Sequence, residues 1–191
     1  RNAACARLNL DPAADYIGLA AVDFRNRVKG GDLAQLLLEK IPATDSRTIF
    51  LVAGAAPELA ALQSTGRVRC LDTLSQREMK YFYQALTMFF NPTRLESFGL
   101  TNLEALFSGT PVLSTSRGAV PEVVEHLQTG YLADPENPDD FLHGMDYIRR
   151  NRLRLSENAR LSALKKFSAE QMAAHHIALY REMMNPRKNS C

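Results

Sequence analysis

Short apolar runs alternate with helical repeats along this chain. The run YIGLAA at 16–21 reads as a buried strand, and the polar loop VDFRNRVKGG that follows it ends on glycines. In GDLAQLLLEKI, Leu33, Leu36, Leu37 and Ile41 recur at helical spacing, Asp32 stands where an N-cap is expected, and Pro42 ends the helix. TIFLVA at 48–53 is the second strand, 57–63 a helix opened by Pro57, and 67–71 a third strand with alternating character.

The same alternation continues downstream. Ser75 caps the helix SQREMKYFYQAL, with Glu78 completing a capping box, and MFFN from Met88 is a fourth strand that Pro92 ends. LTNLEALFSG is a helix closing on Gly109, PVLST a strand, VPEVVEHL a short helix and TGYLAD a final strand. Helices are predicted at 139–150, 154–166 and 169–184. Such alternation predicts an α/β fold with a doubly wound, Rossmann-like parallel sheet, because parallel neighbours need a crossover, usually a helix. Residues 16–185 read as one domain and 186–191 as a tail. Residues 1–15 show no period and begin on Arg1, which reads as an inter-domain linker or a start within a longer protein.

Composition narrows the function. A 46% hydrophobic and 23% charged chain of 191 residues is ordinary for a globular domain, and a net charge of +2 argues against nucleic acid as a partner. Arg149, Arg150, Arg152 and Arg154 read as a solvated helical face, with contact to anionic lipid or acceptor phosphate the alternative; Arg187 and Lys188 add charge at the tail. Cys5, Cys70 and Cys191 form neither a disulfide framework nor a metal spacing, which fits a reducing cytoplasm. No apolar run approaches the roughly 18 residues of a membrane span, and no signal peptide opens the chain. The expected location is cytoplasmic, with peripheral membrane contact open through the rest of the protein. His126, His143, His175 and His176 lack partners at metal spacing, and G-x-G-x-x-G and Walker patterns are absent.

In open parallel sheets the ligand lies beyond the carboxyl ends of the strands. Loops there carry suitable groups in VDFRNRVKGG, NPTRLESFGL and STSRGAVP. Glu96 precedes Phe98 and Gly99, and the free amides of Gly99, Leu100 and Thr101 at a helix start form a natural pyrophosphate cradle. Glu104 follows Glu96 by eight positions, and its carboxylate suits the vicinal diol of a ribose; an exposed helix residue is the plainer reading. Lys29, with Arg25 and Arg27 nearby, would neutralise a diphosphate leaving group, against the alternative of ordinary loop solubility. Glu122 reaches the same region or caps the short helix behind Pro121.

ESFGLTNLEALFSGTPVLSTSRGAVPEVV closely resembles the E-x-F-G-x-x-x-x-E signature of the GT4 family of retaining glycosyltransferases, with its downstream G-T-P-V and G-x-x-P-E-V-V runs. GYLADPENPDDF and FSAEQMAAHHIALYREMM are similar to later stretches of that family. The resemblance implies the C-terminal, donor-binding half of a two-Rossmann-domain (GT-B) enzyme. Such an enzyme transfers a hexose-type sugar from a nucleoside-diphosphate donor to a hydroxyl acceptor with retention. It implies no cofactor and no metal, and an acceptor-binding N-terminal domain that this chain lacks. Glu96 would contact donor-sugar hydroxyls, Glu104 the ribose, and the backbone from Phe98 to Thr101 the sugar and diphosphate. Lys29 matches the family's diphosphate lysine. Val28 stands where the family places an arginine beside that lysine, so Arg27, then Arg25, is the substitute. Gly118 would lie near the sugar, and the backbone of Cys70 to Asp72, with Leu71, near the base. A catalytically silent nucleotide-sugar-binding domain and a GT-B sugar-nucleotide epimerase are the rival readings.

Overall fold

A computed structural model of the chain describes residues 1–42, 44–71 and 73–184. The expectations for Asp72, Arg187, Lys188 and Cys191 fall outside the described residues. The strands β1 (Asp15–Asp23), β2 (Thr48–Ala55), β3 (Val68–Leu71), β4 (Met88–Asn91), β5 (Val112–Thr115) and β6 (Gly130–Ala133) form a six-stranded sheet ordered β3-β2-β1-β4-β5-β6. Every neighbouring pair is parallel. The doubly wound Rossmann-like sheet is therefore the observed one. The chain winds outward from β1 to β3, then crosses back to β4 and winds the other way. That reversal opens a crevice at the carboxyl ends of β1 and β4, the place where open α/β sheets take ligands.

The helices among the described residues are α1 (Asn2–Arg7), α2 (Gly31–Lys40), α3 (Pro57–Ala60), α4 (Gln76–Ala85), α5 (Leu100–Phe107), α6 (Val120–Val123), α7 (Pro138–Arg150), α8 (Arg152–Phe167) and α9 (Ala169–Met184). They cover the sheet on both faces. Tyr16, Leu51, Phe89 and Val112 point into one apolar layer with Tyr83 and Leu106, while Ile17, Phe50, Val52, Phe90 and Leu113 point into the other with Leu37 and Phe141. Alternate residues of one strand thus reach opposite faces that are both apolar, which is why the strands read as continuous apolar runs. Neighbours in β4 show it directly: Phe89 meets Tyr83 edge-on at 5.3 Å, and Phe90 meets Phe141 at 5.5 Å on the other side.

Several local expectations change. Asp32 is not the N-cap of α2; Gly30 is, and the Asp32 carboxylate takes both arms of the Arg94 guanidinium at 2.7 Å. The stretch with no readable period holds α1, whose Ala4 and Cys5 are buried against the core, so tertiary burial rather than amphipathic spacing places it. The helix expected over 57–63 stops at Ala60 and tightens into a 3₁₀ turn, Gln63–Thr65, that Gly66 ends. The capping box at Ser75 forms as read, with the Ser75 amide donating to Glu78 at 2.8 Å. The expected solvated arginine face is mostly a set of tethers. Arg149 Nε donates to Asp15 at 2.7 Å and its Nη2 to Thr48 Oγ1 at 2.7 Å, Arg154 donates to Tyr147 Oη at 2.8 Å, and Arg152 is half-buried. Arg150 and Arg154 are exposed, the Arg150 side chain at 80%. No helix among the described residues is long and apolar enough to cross a membrane.

Candidate functional site

The crevice is walled by three loops that the backbone stitches together. After β1, Asn26 caps a 3₁₀ turn, Arg27–Lys29, by accepting from the Val28 amide at 3.0 Å. At Gly30, where φ is +69°, a Cβ would lie 1.9 Å from the Pro92 carbonyl oxygen, so this loop touches the one after β4 at a point only glycine tolerates. The Arg94 amide donates to the Val28 carbonyl at 2.8 Å, Arg94 Nη1 to the Arg27 carbonyl at 2.9 Å, and Thr93 Oγ1 to the Val28 carbonyl at 3.1 Å. The loop after β5 joins from the other side. Thr115 Oγ1 donates to the Thr93 carbonyl, and the Ala119 amide donates to the Glu96 carbonyl at 2.9 Å. Gly118, at φ +59°, lies where a Cβ would be 2.3 Å from that same carbonyl.

Inside this rim Lys29 Nζ donates to Glu96 Oε2 at 3.3 Å, with side chains 37% and 15% exposed. The Ser97 amide donates to Glu96 Oε1 at 3.2 Å, so the carboxylate is held at both oxygens and its backbone is held as well. Beside the pair is a cleft of about 380 Å³ bordered by Ala20, Ala21, Asn26, Lys29, Asn91 and Thr101. A second hollow of about 360 Å³ shares Ala20, Ala21 and Thr101 and adds Gly54, Leu74 and Met79. Thr101 lies in the first turn of α5 and borders both. The amides of that turn have no intrahelical acceptor, no side chain caps them, and the helix dipole places positive charge there. Beneath them Asn91 Nδ2 donates to Asn102 Oδ1 at 2.9 Å, and Ser114 Oγ donates to the Asn91 carbonyl at 2.7 Å, a buried polar floor that fixes α5 to β4 and β5.

The electrostatics separate structural from available charge. Arg94 is bound by Asp32, and the pairing holds the Asp32 carboxyl below the usual range while raising the Arg94 guanidinium. Arg94 is thus the buttress of the rim. Among the described residues no three or more His, Cys, Asp or Glu side chains gather where they could hold a metal ion.

The sequence matches the model of the family described as glycosyl transferases group 1 over residues 18–163. The chain belongs to that family. Similar relatives include the uncharacterized glycosyltransferase MJ1607 of Methanocaldococcus jannaschii, 29% identical over 109 residues, covering 56% of this chain and 28% of that protein. D-inositol 3-phosphate glycosyltransferase of Mycobacterium sp. (strain KMS) is 34% identical over 160 residues, covering 78% of this chain and 35% of that protein. The solved sucrose-phosphate synthase of Thermosynechococcus elongatus superposes with a TM-score of 0.81 at 23% identity, covering 97% of this chain and 49% of that one. The chain spans less than half the length of each of these proteins.

In this group 1 glycosyltransferase chain the residues singled out by motif divide into two sets. Lys29, Glu96, Gly99, Thr101 and Gly118 converge on the rim. Glu104 lies one turn further along α5, exposed, and accepts from Tyr83 Oη at 2.8 Å beside a hollow of about 230 Å³ that shares Met79 with the second one. Leu100 is 65% exposed at the start of α5. Phe98 turns toward α8, its ring edge-on to Phe167 at 6.1 Å. Leu71 ends β3, and the hollow past it is bordered by Thr73 and Leu74 instead. Arg25 and Arg27 are exposed on the β1 loop, outside the cleft wall that Asn26 and Lys29 form; what the structure fixes of Arg27 is its carbonyl. Glu122 is exposed in the first turn of α6. The sequence reading missed Asn91, Thr93, Arg94 and Asn102. A usable signal was present: Asn91 is the polar end of an otherwise apolar strand, placed where the sheet meets its ligand.

Proposed function

We propose that this chain is the nucleoside-diphosphate-sugar-binding half of a retaining glycosyltransferase that transfers a hexose-type sugar to a hydroxyl acceptor. The observation that carries the reading is the Lys29–Glu96 pair, held at 3.3 Å beside the uncapped amides of α5 at the switch point of the sheet. A diphosphate fits the positive helix end and Lys29, which leaves Glu96 to accept hydroxyl hydrogen bonds from the donor sugar. Glu104 meets the ribose, and Arg27 or Arg25 adds the second cation from the β1 loop.

In the proposed reaction the bond from the anomeric carbon to the diphosphate oxygen breaks as the acceptor oxygen bonds to that carbon on the same face. The acceptor's proton passes to the departing phosphate oxygen. Lys29, an arginine and the helix amides stabilise the negative charge that grows on the leaving group, and no metal or other cofactor is assigned. The acceptor is bound by an N-terminal domain of the whole protein, so the isolated chain binds donor and transfers nothing.

Thermal unfolding with UDP-, GDP- and ADP-sugars tests this, because a ligand that binds the native state raises the midpoint by mass action. One donor class is expected to raise it and Lys29→Ala to remove the rise. No response to any of the three overturns the reading, and sugar transfer by the isolated chain overturns the need for the second domain.

A further inference from the structure

Tyr83 lies in α4, outside the cleft that Lys29 borders. Its ring is 1% exposed in the layer under α4, edge-on to Phe82 and to Phe89, each at 5.3 Å. Its backbone carbonyl accepts from Thr110 Oγ1 at 2.7 Å, so main chain and ring are both fixed. The hydroxyl reaches out of this core and donates to Oε2 of Glu104 at 2.8 Å. Burial and the Glu104 carboxylate together push the Tyr83 phenol far above its ordinary value, which keeps it a donor to that carboxylate.

The asymmetry of the pair is informative. Glu104 is exposed on α5, and a long carboxylate there ordinarily samples several rotamers. A bond from an immobile donor to one oxygen selects a rotamer and leaves Oε1, with the second lone pair of Oε2, for a ligand. The carboxylate borders the hollow of about 230 Å³ that meets the small-residue hollow at Met79. We infer that Tyr83 is a positioning residue for donor binding, whose hydroxyl holds Glu104 in the one orientation that accepts from a ribose diol. This rests on the proposed ribose role of Glu104.

Binding of UDP, GDP and ADP and of their 2′-deoxy counterparts to the full chain tests it, with thermal melts alongside. Wild type is expected to favour the ribose form of its preferred nucleotide by about 10-fold, a typical loss for an unpaired polar group. Glu104→Ala should bring that ratio to about 1. Tyr83→Phe keeps the ring and removes only the donor; it should weaken the ribonucleotide about 5-fold, leave the deoxy form unchanged, and have no further effect on the ratio in the Glu104→Ala background. If Tyr83→Phe melts too low to measure, Glu104→Asp withdraws the carboxylate from Tyr83 while keeping its charge and should lose the ratio as well. A ratio that survives Tyr83→Phe, or survives Glu104→Asp where that stands in, while Glu104→Ala abolishes it, overturns the positioning role alone. A ratio that survives Glu104→Ala overturns the ribose role of Glu104 and this inference with it, and so does failure of all three diphosphates to bind.

Discussion

The two ends of the sheet handle their polar groups differently. At the amino ends of β1 and β2, Arg149 is shared between Asp15 and Thr48, and Asp45 accepts from Thr48 Oγ1 at 2.6 Å, so side chains pair with one another around a hollow of about 360 Å³. At the carboxyl ends the backbone does the joining, through the Arg27, Val28, Thr93 and Glu96 carbonyls, and Lys29 and Thr101 border an open cleft. Charge that is consumed by its neighbours stabilises the fold. At the carboxyl end the main chain fixes the loops that carry Lys29 and Glu96, so their ion pair at 3.3 Å is presented beside a cleft, where a ligand can exchange partners with it.

The largest effects are expected at the carboxyl end. In the full-length protein, Glu96→Ala and Lys29→Ala should each lower sugar transfer by about 100-fold or more, in the range of lost transition-state donors. Their unfolding free energy should move by less than about 1 kcal/mol, as for a part-exposed ion pair. Near-normal transfer rates in both variants would erase the distinction between the two ends.

Gly118→Ala probes the stitching itself. Its Cβ meets the Glu96 carbonyl at 2.3 Å in a left-handed backbone, so a loss of about 2–4 kcal/mol is expected together with a lost nucleotide response. Urea unfolding and donor titration of the same sample report both, and a stable variant that still binds would show that the rim need not be rigid.

At the opposite end Arg149→Ala should do the reverse. With the part-buried Asp15 carboxylate left without its partner, about 1–3 kcal/mol of stability should go while the nucleotide-induced rise in midpoint is retained. Loss of nucleotide response would mean that the two ends are coupled.

The smallest effect is in pH dependence. The Thr48 hydroxyl bond holds the Asp45 carboxyl below its ordinary value of 3.8, so the contribution is complete above that value and lost as pH falls through the depressed one. Asp45→Asn should therefore flatten acid unfolding below about pH 4, by about 0.5 kcal/mol after solvent screening. An unchanged acid limb would mean that other carboxylates set it.

Much of the fold was legible because its signals are local. Continuous apolar strands, helical spacing in 31–41 and the Ser75–Glu78 box are patterns within a few residues, and the parallel sheet follows from their alternation. Of the site, Lys29 and Glu96 were legible as loop residues at strand ends, and the motif around Glu96 to Glu104 pointed to the family. Asp32 was misread because a capping residue and an ion-pair partner look alike in sequence, and its Arg94 partner lies 62 positions away. The arginines 149 to 154 looked like a solvated face because their acceptors, Asp15 and Leu127 among them, come from distant segments.

By itself, then, the sequence determined the alternation of strands and helices from β1 onward, the α/β class and the family, since hydrophobic period and motif spacing are properties of short stretches. Tertiary structure alone decided the strand order, which loops meet, that Lys29 faces Glu96, and that Tyr83 reaches Glu104. Those depend on close approach of segments far apart in the chain, set by core packing and by the few glycines that let backbones touch.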